Sequence, residues 1–146
     1  MAICRSSNVL YPPFLRELQA GIEKAEKAVD LKIKIFETYR SPQRQDILFD
    51  QGRKSPGQIV TNTRGGYSWH QYGVAADIAL WKNEQWSWEF NPEALSLFIV
   101  SPYLKWGGKN DGPHYQWAHL PRISEVLNKP ILSLWSDLDK TAPTQV

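Results

Sequence analysis

Apolar positions recur at steps of three and four from Phe14 to Val29. Phe14, Leu15, Leu18, Ile22, Ala25 and Val29 form one stripe, and Glu17, Glu23, Lys24, Glu26 and Lys27 take the other side. That period predicts an amphipathic helix, opened by Tyr11-Pro12-Pro13. From Leu31 to Tyr39 the period falls to two: Ile33 and Ile35 alternate with Lys32 and Lys34, which predicts a strand. Ser41-Pro42 supplies a hydroxyl cap and a proline at the first helical position, so a second helix runs to Gly52. Arg53 to Tyr67 has no period and reads as a long loop, functional or mobile. Val74 to Trp81 alternates again. Val74, Ala76, Ile78 and Leu80 share one face; Ala75, Asp77 and Ala79 share the other, which leaves room beside a single acid.

The C-terminal half is more broken. Asn83 to Phe90 predicts a hairpin or loop, and Asn91-Pro92-Glu93 starts a helix that ends before Pro102. Gly107 to Pro113 reads as a turn and His114 to Ala118 as a short strand. Pro121 is expected to start a helix closed by Pro130, with a final turn or two around Leu132, Trp135 and Leu138, then a loose tail from Lys140 to Val146. No repeat or linker divides the chain. It reads as one domain over residues 1–146, with 121–146 a helical extension and tail. Helices and strands alternate with long loops, which predicts an α+β fold around a small, mainly antiparallel sheet.

Composition narrows the chemistry. The 146 residues include three His and one Cys. A single Cys, Cys4, builds no internal disulfide, Cys-rich zinc finger or iron–sulfur cluster. A metal site must therefore borrow carboxylates. The net charge of +2 comes without a basic stripe, so nucleic acid is not an expected partner. No apolar run is long enough to span a bilayer, and stable membrane association is not expected. Met1 to Ser7 holds no apolar core of signal-peptide length, so the expected location is the cytoplasm, or the chain leaves it by a route the sequence does not encode.

The informative segment is Ser68-Trp69-His70-Gln71-Tyr72-Gly73-Val74-Ala75-Ala76-Asp77. A straight strand would separate His70 from Asp77 by ~23 Å and a helix by ~10 Å. One ion needs both ligand atoms within about 2 Å of it, so the chain must bend, and Gly73 permits a bend. Asn110-Asp111-Gly112-Pro113-His114-Tyr115-Gln116 offers a second His on a proline-restricted turn, with an acid three residues before it. Two His and one carboxylate leave the fourth position of a tetrahedral zinc open, the catalytic pattern. Asp111 is then the candidate proton carrier that is not a ligand.

These motifs, Ser-x-His with x-x-Gly-x-Ala-x-Asp and then Asp-x-Pro-His, resemble the zinc peptidases of the D-alanyl-D-alanine carboxypeptidase and L-alanyl-D-glutamate endopeptidase family. The likeness is strongest to its phage-endolysin and autolysin branch. It extends through Tyr39-Arg40-Ser41, Gln45, Gln51-Gly52-Arg53, Pro56-Gly57 and Ile59-Val60-Thr61-Asn62 to Gly65-Gly66, so it spans about residues 11–120. It implies a hedgehog or D,D-peptidase type of fold and one catalytic Zn2+ on His70, Asp77 and His114. It further implies a base at Asp111, and an Arg40 that contacts substrate or steadies the oxyanion. Many relatives carry Glu where this chain has Asp111, so its reach depends on the turn at Gly112-Pro113.

The implied substrate is the bacterial peptidoglycan stem peptide, cut between L-Ala and D-Glu by an endolysin-like enzyme expected to be a monomer, cytoplasmic before release and acting on the cell wall. The alternatives are a D-Ala–D-Ala carboxypeptidase with the same metal site, or a non-catalytic zinc-containing wall-binding module. Arg40 suits a carboxylate beside the scissile bond; its plain alternative is a pair with Glu37 or Asp46. Ser68, Gln45 and Thr61 are expected to bind substrate or support the ligands. His119 reads as a surface or supporting residue, with a spare ligand or base as the alternative.

Overall fold

Two prolines open helix α1 (Pro12–Val29), which buries Phe14, Leu18, Gly21, Ile22 and Ala25 along the predicted stripe. The computed structural model describes residues 2–141. Strand β1 (Ile33–Glu37) follows, then helix α2 (Pro42–Asp50), whose Ser41 hydroxyl accepts from the Arg44 N–H at 3.1 Å. Strand β2 (Ala75–Lys82) turns into β3 (Gln85–Ser87) through Asn83 and Glu84, both at positive φ, the backbone of a tight right-twisted hairpin. Helix α3 (Pro92–Ile99) is capped by Asn91, whose side chain accepts from the Ala94 N–H. Strands β4 (Leu104–Trp106) and β5 (His114–Trp117) and helix α4 (Ile131–Thr141) complete the fold.

The strands form one five-stranded antiparallel sheet in the order β1-β2-β5-β4, with β3 pairing the far end of β2. Val74, Ala76, Ile78, Leu80, Tyr115 and Trp117 turn to the core, where they meet α1 and α3. The two helices touch at Gly21, where a Cβ would sit 2.8 Å from the Ile99 carbonyl oxygen. Asp77 and His114 face each other across β2 and β5, and they lie in alternation with the core residues, so the opposite face carries the chemistry.

Three expectations change. The helix expected from Pro121 is a 3-10 turn, Ile123–Glu125. Pro130 opens the next helix instead of closing one: the Leu134 N–H donates to the Pro130 carbonyl, and α4 runs for 11 residues, not a turn or two. Its Leu134 and Leu138 are buried, and Asp139 accepts from the Tyr11 hydroxyl, so tertiary packing sustains it. Strand β4 has no counterpart in the sequence pattern; its three residues show no alternation long enough to read. Of the expected tail, Lys140 and Thr141 belong to α4, and the remainder lies outside the described residues.

Candidate active site

Ser68 starts a 3-10 turn, Trp69–Tyr72, with its hydroxyl accepting from the His70 N–H at 3.2 Å. Gly73 ends that turn at φ +71°, a left-handed conformation that bends the chain into β2. The bend brings His70 beside Asp77, and the pairing of β2 with β5 sets His114 opposite. One donor atom from each of His70, Asp77 and His114 lies within 4.8 Å of the other two. Asp77 Oδ1 is 3.3 Å from His70 Nε2 and 3.6 Å from His114 Nδ1.

The surroundings orient each donor. His70 donates from Nδ1 to the Thr38 carbonyl at 2.9 Å, which leaves the Nε2 lone pair toward Asp77. His114 donates from Nε2 to Gln116 Oε1 at 2.9 Å, which leaves Nδ1 inward. Asp77 Oδ2 accepts from Arg40 Nη2 at 3.2 Å, while Oδ1 is buried with no hydrogen-bond partner among the described residues. A buried, unpartnered carboxylate oxygen facing two imidazole lone pairs is what a divalent cation satisfies. The set therefore fits zinc with a position open to solvent or substrate. Without an ion, burial works against charge on Asp77, yet protonation of the two histidines outweighs it and lowers its carboxyl well below the usual range.

Asp111 stands at the rim. Its Oδ2 is 3.7 Å from His114 Nδ1, and its side chain is 60% exposed. The turn that carries it is fixed at several points. Gly107 N–H donates to the His114 carbonyl, His114 N–H to the Asp111 carbonyl, and Trp106 Nε1 to the Gly112 carbonyl. The cavity walls raise the Asp111 carboxyl above its ordinary value, and the Asp77 charge adds to this, against the pull of His114, His70 and Arg40.

Arg40 lies in the cavity wall and is held by the chain itself. Nη2 donates to Glu37 at 2.8 Å as well as to Asp77, and Nη1 donates to Gln45 Oε1 at 3.1 Å. It pairs with Glu37 rather than Asp46. Gln45 is buried and donates onward to the Thr63 carbonyl, and Thr61 accepts from the Thr63 N–H, so both anchor the long loop. His119 stands apart from this cavity. Its Nε2 meets the Pro102 carbonyl, and it lines a separate apolar hollow with Leu120 and Val126.

Four supporting groups escaped the sequence reading: the Thr38 carbonyl, Gln71, Arg44 and Gln116. Gln71 donates to the Arg40 carbonyl and accepts from the Gly66 and Ser68 N–H groups, tying loop to turn. Glu37, noticed only as a partner for Arg40, also takes Arg44 at 2.6 and 3.1 Å. The His-x-Gln spacing of His114 and Gln116, alternate positions on a strand, is the one signal that could have found its member.

His70, Asp77, His114, Asp111, Arg40 and Gln116 line an open cavity of about 760 Å³, together with Val60, Thr61 and Tyr67 of the long loop and with Trp88 and Lys105. Residues 11–99 match the model of the VanY family, D-alanyl-D-alanine carboxypeptidase. The chain is 32% identical over 119 residues to the peptidoglycan L-alanyl-D-glutamate endopeptidase CwlK of Bacillus subtilis (strain 168), covering 71% of each protein. Its fold is similar to that of the L-Ala D-Glu endopeptidase ChiX of Serratia marcescens (TM-score 0.52, 21% identity, 80% of this chain and 89% of that one). It is also similar to VanYB in complex with D-alanine-D-alanine (TM-score 0.54, 16% identity, 98% of this chain and 90% of that one).

Proposed function

Since the chain belongs to the VanY family of peptidases, we propose that it is a zinc-dependent peptidase that cuts the L-Ala–D-Glu bond of peptidoglycan stem peptides. The observation that carries the reading is the convergence of His70 Nε2, Asp77 Oδ1 and His114 Nδ1 on one point of an open cavity, with Asp111 beside it. A zinc ion held by these three residues would polarise the scissile carbonyl and bring the pKa of a water toward ~7.

The chain's own residues do the rest. Asp111 borders the cluster without being part of it, so its carboxylate is free to take the proton of the attacking water and deliver it to the leaving amine. Arg40 holds Asp77 in position and places a cation in the wall beside the reacting carbonyl. Ser68 and the Thr38 carbonyl fix His70, and Gln116 fixes His114.

The choice of bond rests on the 32% identity to an L-alanyl-D-glutamate endopeptidase along most of the chain. Cutting there frees the stem from the glycan, and a lytic, endolysin-like role is part of this reading. The family match favours a second reading, removal of terminal D-Ala by the same site. A purified stem pentapeptide separates the two. Cleavage after L-Ala yields a fragment with a new D-Glu amine; release of free D-Ala alone would make the second reading correct.

A further inference from the structure

Three cations line the cavity: Arg40, Arg44 and Lys105. Two are committed to acids of the chain itself. Arg44 grips both oxygens of Glu37, and Arg40 spans Glu37, Asp77 and Gln45. Lys105 makes no hydrogen bond or ion pair with any described residue.

The sheet fixes where Lys105 points. It pairs with Gln116 across β4 and β5, and Gln116 pairs with Ala75 across β5 and β2. Paired residues share a face, and alternate residues along a strand share it too. His114 and Asp77, two positions from Gln116 and Ala75, therefore lie on the face from which Lys105 rises. Its neighbour in register, Gln116, is the residue that holds His114 Nε2. An ammonium group with no partner among the described residues thus stands on the same wall as the metal cluster.

We propose that Lys105 is a specificity residue, whose ammonium takes the free carboxylate on the substrate residue that follows the cut bond. The inference rests on the peptidase reading above but not on which of the two bonds is cut. D-Glu linked through its side chain keeps its α-carboxylate next to the scissile nitrogen, and a terminal D-Ala keeps its own. Arg40 is poorly placed to take that carboxylate, because turning it to a substrate anion would strip Asp77 of its Oδ2 partner. The flexible lysine stem reaches a carboxylate without disturbing the ligands.

The test compares kcat/KM of the wild type, Lys105→Met and Lys105→Arg on two peptide pairs. One pair is L-Ala–γ-D-Glu-L-Lys and its D-isoglutamine analogue. The other is a pentapeptide ending in D-Ala–D-Ala and its C-terminal amide. The wild type is expected to prefer the acid form by about fivefold or more, mainly through KM. Lys105→Arg keeps the preference, and Lys105→Met brings the ratio close to one. Because Lys105 is exposed, the Met variant should unfold at the wild-type urea midpoint. A wild type indifferent to the amide, or a Met variant with the preference intact, overturns the assignment. Cleavage of the second pair alone would overturn the choice of bond yet still decide the role of Lys105 on that pair. If neither pair is cut, both proposals fail.

Discussion

Gly73→Ala probes how one short segment delivers both His70 and Asp77 to the same point. Gly73 lies between them at φ +71°, where any other residue carries roughly 1–2 kcal/mol of backbone strain. The added Cβ would also sit 2.7 Å from the Val9 carbonyl oxygen and 2.7 Å from Trp135 Cζ2. The indole cannot simply swing away, because its N–H donates to the Tyr72 carbonyl at 2.9 Å; losing that bond costs about 1 kcal/mol. Strain and crowding together predict a loss of about 2–4 kcal/mol. Gly66→Ala is the matched control. Gly66 has φ +85° with nothing within 4 Å of an added Cβ, so it should lose the backbone part alone, about 1–2 kcal/mol. Urea unfolding at pH 7 measures both, and zinc content after dialysis reports the cluster. If Gly73→Ala were no less stable than Gly66→Ala and kept full zinc, the turn would not be what assembles the site.

Three further outcomes are expected. Asp111→Asn should keep its zinc and lose about 10²–10⁴-fold in kcat, since only the proton carrier is removed; wild-type turnover in this variant would move the base elsewhere. Gln116→Leu leaves His114 Nε2 without its acceptor and should weaken zinc binding about 10- to 100-fold in a competition titration with a chromogenic chelator. Glu37→Gln should lose about 1.5–3 kcal/mol at pH 7, because it leaves two part-buried guanidinium groups short of their acid. Burial opposes the charge on Glu37, but hydrogen bonds and charge from Arg44 and Arg40 prevail and lower its pKa. The stabilisation is therefore full above the unfolded value near ~4.3 and fades as pH falls through the lower folded value. The gap between the urea curves of the two proteins should narrow as pH falls below about 4.3, and a gap constant with pH would refute the argument.

The sequence was legible where chemistry restricts residue type and spacing together. His70, Asp77 and His114 could be picked out because metal ligation admits few side chains, and Gly73 because the bend between them favours glycine. The α1 stripe was legible because a long helix repeats its period several times. What was hidden depends on tertiary register. Nothing local sets Lys105 beside Gln116 before β4 pairs with β5, and the carbonyl of Thr38 that orients His70 has no side-chain identity to read. Pro130 misled because a proline suits the first turn of a helix as well as the end of one; only the packing of Leu134 and Leu138 decides between them. Arg40 looked like a substrate group by type, and the structure shows its guanidinium engaged with Glu37, Asp77 and Gln45.

Mass spectrometry of purified cell wall digested with the protein, with and without a chelator, bears most directly on the central claim. Fragments with a new N-terminal D-Glu should accumulate, disappear when the metal is removed, and return on addition of zinc. Release of D-Ala without those fragments, or digestion indifferent to the chelator, would contradict it.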